Sequence, residues 1–359
     1  MNETNMNRLP VPTWNQCGVN TAPKAAALPK LSGDWGDANF AVTLPAGVGE
    51  SEEEFTSFTE SGMGAEADAF LLENAAVRHA LTVAENVTVA EPAVFEFTLD
   101  AAHPGTMSVL DVDAKANSSL TLVQVLRGDA ENGAAANLVR IRAAEGAHVR
   151  LVQIQMLGSR ARRWDAVAVE EGTGAKVEQV RVELGGSVSA CGTRAVLDHA
   201  KAEYDLDAVY FGSRNAVLDY NDVSVHTAKD TLCEMHTAGV LTGSASKILR
   251  GTIDFRRGAK RGVGHESEDV LLFSPTARNR TAPLILCGEE EVEGQHAASI
   301  GRLDEEKLYY LRSRGLSEAQ ARRLMVDARF APSLDKIPLE ALREEVRAEA
   351  ARRLDEDAE

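Results

Sequence analysis

Between about residues 86 and 300, apolar and polar positions alternate in short runs broken by Gly, Asn, Asp and Ser. Leu81–Val89, Val139–Val149 and Val177–Leu184 follow a period of two, which places alternate side chains on opposite faces of a strand. Some two hundred residues lack helical periodicity. The runs also repeat. NSSLTLVQV (117–125), EGAHVRLVQI (145–154), TGAKVEQVRV (173–182) and DHAKAEYDL (198–206) align on Ser119, Ala147, Ala175 and Ala200. A small residue begins each unit, and Gly128, Gly158, Gly185 or Gly212 follows it. Strand-built units of roughly 25 residues suggest a solenoid, each unit one coil of three short strands with inward Val, Leu and Ile stacked in ladders. A β-sandwich with regular turn spacing is the alternative.

After residue 302 the period changes to that of helices. Asp304–Arg314 carries Leu308 and Leu311 on one face, and Gly315 follows as a stop signal. Ser317 with Gln320 forms a capping box, in which each side chain satisfies an orphan backbone donor. Ala321, Leu324, Met325 and Ala328 then form an apolar face, predicted to end before Pro332. Pro338 suits the first turn of a last helix bearing Leu342, Val346 and Leu354. This subdomain is expected to dock at one end of the strand region. Before residue 86, Pro10, Pro12, Pro23, Pro29 and Pro45 prevent long helices, and Glu66–Ala80 reads as a short one. The predicted organisation is an N-terminal region with short helices (1–85), a strand core (86–302) and a C-terminal helical subdomain (303–359).

Length and charge modify this picture. A chain of 359 residues favours two domains, unless the core grows along one axis as a solenoid does. The net charge of −17 argues against broad nucleic-acid or anionic-membrane binding. That charge is uneven. Residues 31–100 hold 14 acidic residues against Arg78 alone, whereas residues 302–359 hold 12 basic and 14 acidic ones. The Arg-rich stretch Arg312, Arg314, Arg322, Arg323 and Arg329 is either a solvated face with pairs such as Glu318–Arg322 or a partner-docking surface. Cys17, Cys191, Cys233 and Cys287 form no CxxC pair, which fits a reducing compartment. Residues 1–10 lack a signal-type apolar core and no run of about 18 apolar residues occurs, so the expectation is a soluble cytoplasmic protein.

Candidate chemistry is sparse. His226, Cys233 and His236 match no zinc spacing and read as structural residues. Cys191 reads as a small core residue and Cys17 has no evident partner. Cys287, Glu289, Glu290, Glu291, Glu293 and His296 fall within ten residues and offer ligand chemistry for iron or zinc, although an acidic edge strand gives the same pattern. No P-loop or GxSxG elbow is present. Asp205, Asp207, Asp219 and Asp222 leave open a carbohydrate-active enzyme on a β-helix.

The tail decides between these readings. GRLDEEKLYYLRSRGLSEAQARRLMVDARF (301–330) closely resembles the tail of the SufB/SufD family of iron–sulfur cluster assembly proteins, through Leu308, Tyr310, Leu311, Arg312, Ser313, Arg314, Gly315, Ala321, Arg322, Leu324 and Phe330. GEEEVEGQHAASIG (288–301) resembles the family's lead-in, and LPVPTWNQCGVN (9–20) resembles the start of D-type members. The resemblance implies a mainly β fold, a right-handed parallel β-helix (solenoid) core with N-terminal and C-terminal helical segments. It implies a non-catalytic scaffold that pairs through its β-helix, with a SufB-type subunit or a second copy of itself, and docks a SufC-type ABC ATPase by its C-terminal region. ATP-driven closure of the ATPases would distort the pair and expose ligands for a transient iron–sulfur cluster. His296 matches the family histidine near the pair interface. Many members have Cys two residues before it, where this chain has Gly294, and Cys287 is either a substitute thiolate or a core residue. Leu311, Arg312, Arg314, Gly315, Leu316 and Arg322 become the expected docking residues. A purely structural partner subunit that never holds metal is the remaining alternative.

Overall fold

The computed structural model describes residues 6–13, 15–27, 39–51, 55–302 and 304–356. Strands β1 (Phe40–Thr43) and β2 (Val48–Glu50) precede helix α1 (Ala65–Asn74). Eight coils follow, each of two strands. The first four are β3 (Val77–Val83) with β4 (Ala93–Leu99), β5 (Gly105–Ala114) with β6 (Ser119–Gly128), β7 (Ala134–Ala143) with β8 (His148–Leu157), and β9 (Arg162–Glu171) with β10 (Lys176–Glu183). The last four are β11 (Val188–Leu197) with β12 (Glu203–Gly212), β13 (Val217–His226) with β14 (Leu232–Leu241), β15 (Ser246–Phe255) with β16 (Gly262–Leu272), and β17 (Arg278–Cys287) with β18 (Val292–Arg302). Helices α2 (Glu305–Ser313), α3 (Glu318–Leu334) and α4 (Glu340–Glu356) close the chain.

From β3 onward, the odd-numbered strands stack in parallel into one sheet and the even-numbered strands into a second. The expected β-helix is present, but each coil has two strands rather than three. Most strands run ten residues, so two of them and their corners use up the coil. Coil stacking also starts at Val77, before residue 86, because β3 already pairs with β5. The helix expected over Glu66–Ala80 ends at Asn74 for the same reason. The true repeat row is Ser118, Ala147, Ala175, Ala202 and Thr231, all buried, as the register of the following residues requires. Ser119 and Ala200 were therefore misaligned by one and two residues.

One corner is built alike in the first seven coils. Asn86, Asn117, Gly146, Gly174, Lys201, Asp230 and Arg261 adopt positive φ there, a conformation that Asn, Asp and Gly accept most readily. The N–H of each donates to a carbonyl in the next coil at 2.5–3.2 Å, for example Asn117 to Glu145 and Gly174 to Ala200. These bonds satisfy corner backbone that the sheets do not.

Both outer faces are covered. Met6, Ala22, Ala26, Met63, Ala67 and Leu71 pack on the odd-numbered sheet, against residues such as Met107, Leu138 and Trp164. Val326, Phe330, Leu334, Leu342, Val346 and Leu354 pack on the even-numbered sheet, against a row that includes Val125, Ile154, Val182 and Val209. The C-terminal helices thus lie along the side of the solenoid rather than at its end. Asp304 caps α2, accepting from the N–H groups of Glu306 and Lys307 at 3.0 Å. The Ser317–Gln320 capping box forms as expected. Helix α3 continues through Pro332 to Leu334. Pro332 stands in the last turn, and burial of Phe330 and Leu334 on the sheet offsets its missing donor. Pro338 lies two residues ahead of α4.

The two ends of the solenoid differ. At the first coil, β1 and β2 add antiparallel to β4 and β3 and close both sheet edges. At the last coil, no described strand pairs with the outer edge of β17 or β18. Along β18, ten residues from Glu293 to Arg302 are exposed. Among the described residues, no helix is long and apolar enough to cross a membrane.

Candidate functional site

The open last coil holds His296. Residue pairing places it in the row Leu122, Leu151, Gln179, Leu206, Met235, Glu266, His296. The first six are buried inside the solenoid. His296 continues their row but is exposed, because no further coil covers it. Position 294 lies in the inward row of Tyr204, Cys233 and Gly264. A Cβ at Gly294 would sit 2.9 Å from Cγ2 of Ile285 and 3.1 Å from Cε2 of Phe255, so neighbouring side chains already fill the space of a larger residue.

Cys287 also lies at this open end, exposed, completing the row Leu197, His226, Phe255, Cys287. It is not beside His296. Glu266, which His296 follows, reaches across to Gly251, and Gly251 is followed by Pro283. Cys287 is four residues beyond Pro283, about 13 Å along an extended strand. The side chain that shares a cavity with His296 is instead Cys17. That cavity, about 610 Å³, spans the free edge of β17 and is lined by Cys17, Asn279, Thr281, Pro283 and His296 among others. Chain order gave no signal for this pairing of residues 279 positions apart.

Beneath the open end the interior is charged. Lys247 donates to Glu268, and Thr281 donates to the other oxygen of the same carboxylate. Arg181 makes a bidentate pair with Asp222, both bonds 2.8 Å. Arg163 bonds Glu183 and lies 3.2 Å from Asp165. Asp165, Glu183 and Cys191 offer ligand atoms within 4.8 Å of one another, but the carboxylates face the Arg163 guanidinium and burial pushes the Cys191 thiol up, keeping it protonated.

The remaining candidates have structural roles. His226 is buried, bonded to Ser224 (3.0 Å) and Thr231 (2.8 Å), and desolvation lowers its pKa to about 4. Cys233 is buried and His236 bonds Ser267 at 2.9 Å. The four aspartates proposed for sugar chemistry stand within strands rather than at corners. Asp205 pairs with Lys176, Asp207 with Lys336, Asp219 with Arg250 and Asp222 with Arg181. Every one already has a cation, so none is a free acid or base.

In the C-terminal hairpin, Arg312, Arg314 and Gly315 are exposed, while Leu311, Leu316 and Arg322 are half-buried. Arg322 bonds Glu318 at 2.8 Å and lies over the Phe273 ring, Arg323 pairs with Asp355, and Arg329 pairs with Asp269. Three of the five arginines therefore turn toward the protein, and Arg312 and Arg314 remain outward. Tyr309, Tyr310 and Leu324 are 76%, 56% and 47% exposed. Leu324 was expected on the buried face; Val326 and Phe330 take that place, because the even-numbered sheet approaches from their side.

Residues 97–329 match the family model described as SUF system FeS cluster assembly, SufBD core domain. The chain belongs to the SufBD family. This SufBD chain is 31% identical over 142 residues to the iron–sulfur cluster assembly protein SufD of Bacillus subtilis, covering 40% of the chain and 32% of that protein. It is 27% identical over 271 residues to the SufBD family protein PH1385 of Pyrococcus horikoshii, covering 72% and 58%. It is 23% identical over 296 residues to a SufBD family protein of Staphylococcus epidermidis, covering 81% and 64%. The matches thus span less than two thirds of these relatives' own length. The family is described as one of SUF system iron–sulfur cluster assembly.

Proposed function

We propose that this chain is a non-catalytic scaffold subunit of the cluster assembly system. It pairs through the open end of its β-helix with a SufB-type subunit or a second copy of itself. It docks a SufC-type ABC ATPase through α2 and α3, and a transient iron–sulfur cluster is its cargo near His296. Its compartment in this reading is the cytoplasm.

The observation that carries the proposal is the uncovered last coil. Unpaired edges of two ten- and eleven-residue strands are a template for strands of another chain. Because β1 and β2 occupy the opposite end, pairing of this kind stops at two chains and does not run into a fibre. Ile300, 51% exposed in β18, is an apolar contact suited to that interface. Tyr309, Tyr310 and Leu324 beside Arg312 and Arg314 have the aromatic and arginine composition of protein-binding surfaces. Nucleotide-driven closure of docked ATPases would then bias the pair between two arrangements.

Co-expression with a SufB-type subunit and the ATPase, followed by affinity capture and light scattering, tests this. A stable complex is expected, with Ile300→Glu weakening pairing and Tyr310→Ala with Arg314→Ala releasing the ATPase. A folded chain that stays monomeric with both partners refutes the reading. A tight complex that never acquires iron selects the purely structural role.

A further inference from the structure

We propose that a notch in the flank of the solenoid, beside the last turn of α4, binds a phosphate group, either free phosphate or the phosphate of a small molecule such as a nucleotide. The notch lies away from the open last coil and does not depend on the scaffold reading.

Its origin is one shortened corner. Glu183 of β10 pairs with Gln155 of β8 and with Tyr210 of β12. Val188 of β11 pairs with Arg162 of β9 and with Val217 of β13. Between those paired positions the flanking corners use residues 156–161 and 211–216, whereas this corner uses only 184–187. It is therefore two residues shorter than the corners on either side. Gly186, at a φ of 85°, makes the tight turn that this requires. The flanking corners project past it and stand about 10 Å apart, two strand spacings. Between them lies a cavity of about 300 Å³ with Gly185 and Gly186 in its lining.

The walls are basic and hydroxylated. Ser159 and Arg160 line one side, Ser213, Arg214 and Asn215 the other, and Arg353 of α4 lies over Gly185. Among the described residues no carboxylate lines the notch, although the chain carries a net charge of −17. Arg353 is 7% exposed. Its Nε donates to Glu349 and its Nη2 to the Leu157 carbonyl, both at 2.7 Å. A Cβ at Gly185 would lie 2.8 Å from the remaining nitrogen, Nη1, so only glycine lets the guanidinium settle here. Arg160 donates to Asp129 at 3.1 Å and Arg214 lies 3.9 Å from Glu356. Both of these pairs are exposed, and such pairs contribute little, so exchanging them for phosphate oxygens costs little.

Guanidinium groups reaching in from two walls, with a third held rigidly over the floor, suit the several oxygens of one phosphate group. The acidic surface around the notch disfavours a long polyanion and leaves a small anion as the ligand that fits. Because Arg353 belongs to α4 and Arg160 and Arg214 belong to the coils, a bound phosphate would tie the end of α4 to the solenoid.

Calorimetric titration of the full chain with sodium phosphate, and separately with ADP, in low-salt chloride buffer tests the site. Saturable binding is expected from at least one of them. Arg160→Gln and Arg214→Gln should each weaken it about threefold to tenfold, and the double variant should lose it. Arg256→Gln, which removes an exposed arginine at a corner of the seventh coil, should leave it unchanged. Phosphate should also slow hydrogen exchange at residues 184–187 and 352–356. Circular dichroism and melting transitions matching those of the unmodified chain establish that the variants are folded. Phosphate binding as tight as that of ADP identifies free phosphate as sufficient; tighter binding of ADP, lost in the same double variant, identifies a nucleotide phosphate. The site is overturned if neither probe binds saturably, if the double variant binds as well as the unmodified chain, or if Arg256→Gln weakens binding equally.

Discussion

One buried carboxyl should make the protein less stable as pH rises. Glu266 lies on β16, one coil beneath His296, and is 7% exposed. Burial pushes its pKa up from 4.5 to about 8; the carboxylates of Glu268 and Asp222 add to the rise and the Lys247 ammonium opposes it. The side chain is wedged against Gly251, where a Cβ would lie 1.7 Å from Oε1, and Oε2 has no hydrogen-bond partner. Between pH 4.5 and about 8 the folded chain holds a proton that the unfolded chain has released. Stability contributed by this group is therefore complete below the unfolded pKa, falls across that window and levels off above it. At about 1.4 kcal/mol per unit, the loss between about pH 5.5 and pH 8 is about 3 kcal/mol. Glu266→Gln keeps the shape but cannot ionise, so urea denaturation should show a loss smaller by that amount over the same range. Asp68, also raised by burial, to about 6, is common to both proteins and cancels in the comparison. Equal pH dependence in the two proteins would refute the placement of a protonated carboxyl here.

Three further outcomes follow from packing. At Gly62 a Cβ would lie 2.3 Å from the Thr193 nitrogen and 2.5 Å from the Asn221 carbonyl, so Gly62→Ala should lift the N-terminal segment off the sheet, at a cost of about 1–3 kcal/mol or more. Hydrogen exchange should then speed up around residues 6–27 and 55–75 and stay unchanged in α3 and α4. Arg181→Met alone strands the buried Asp222 carboxylate and should destabilise by about 3–5 kcal/mol in denaturant melts, whereas adding Asp222→Leu should recover most of that loss. Phe330→Ala removes a fully buried ring between α3 and the even-numbered sheet; a loss of about 3–5 kcal/mol should appear as faster proteolysis of residues 318–356, and unchanged cleavage there would refute the packing.

Much of the fold was legible because its signals are local. Period-two alternation reports the strands whatever they pack against, and Asn117, Gly146 and Gly174 mark corners because backbone geometry selects them. The Ser317–Gln320 box was legible for the same reason, since it is completed within one helical turn. What alternation could not show was which face pointed inward. In β7, nine of the ten positions are buried, because coils fill one side and the terminal regions cover the other. That also hid the strand count per coil, since a corner and a mid-strand bend both interrupt the pattern.

The sequence by itself determined that the chain is a strand repeat with a helical tail of the SufBD type, because periodicity and short motifs depend only on neighbouring residues. Tertiary structure alone decided the functional geometry. It laid α3 and α4 along the side of the solenoid, leaving Leu324 outside and Phe330 within. It separated Cys287 from His296 despite nine residues of sequence distance, because an extended strand carries a side chain about 3.3 Å per residue. It brought Cys17 to the same cavity as His296, because the N-terminal segment needs the last coils to bury Leu9 and Val19.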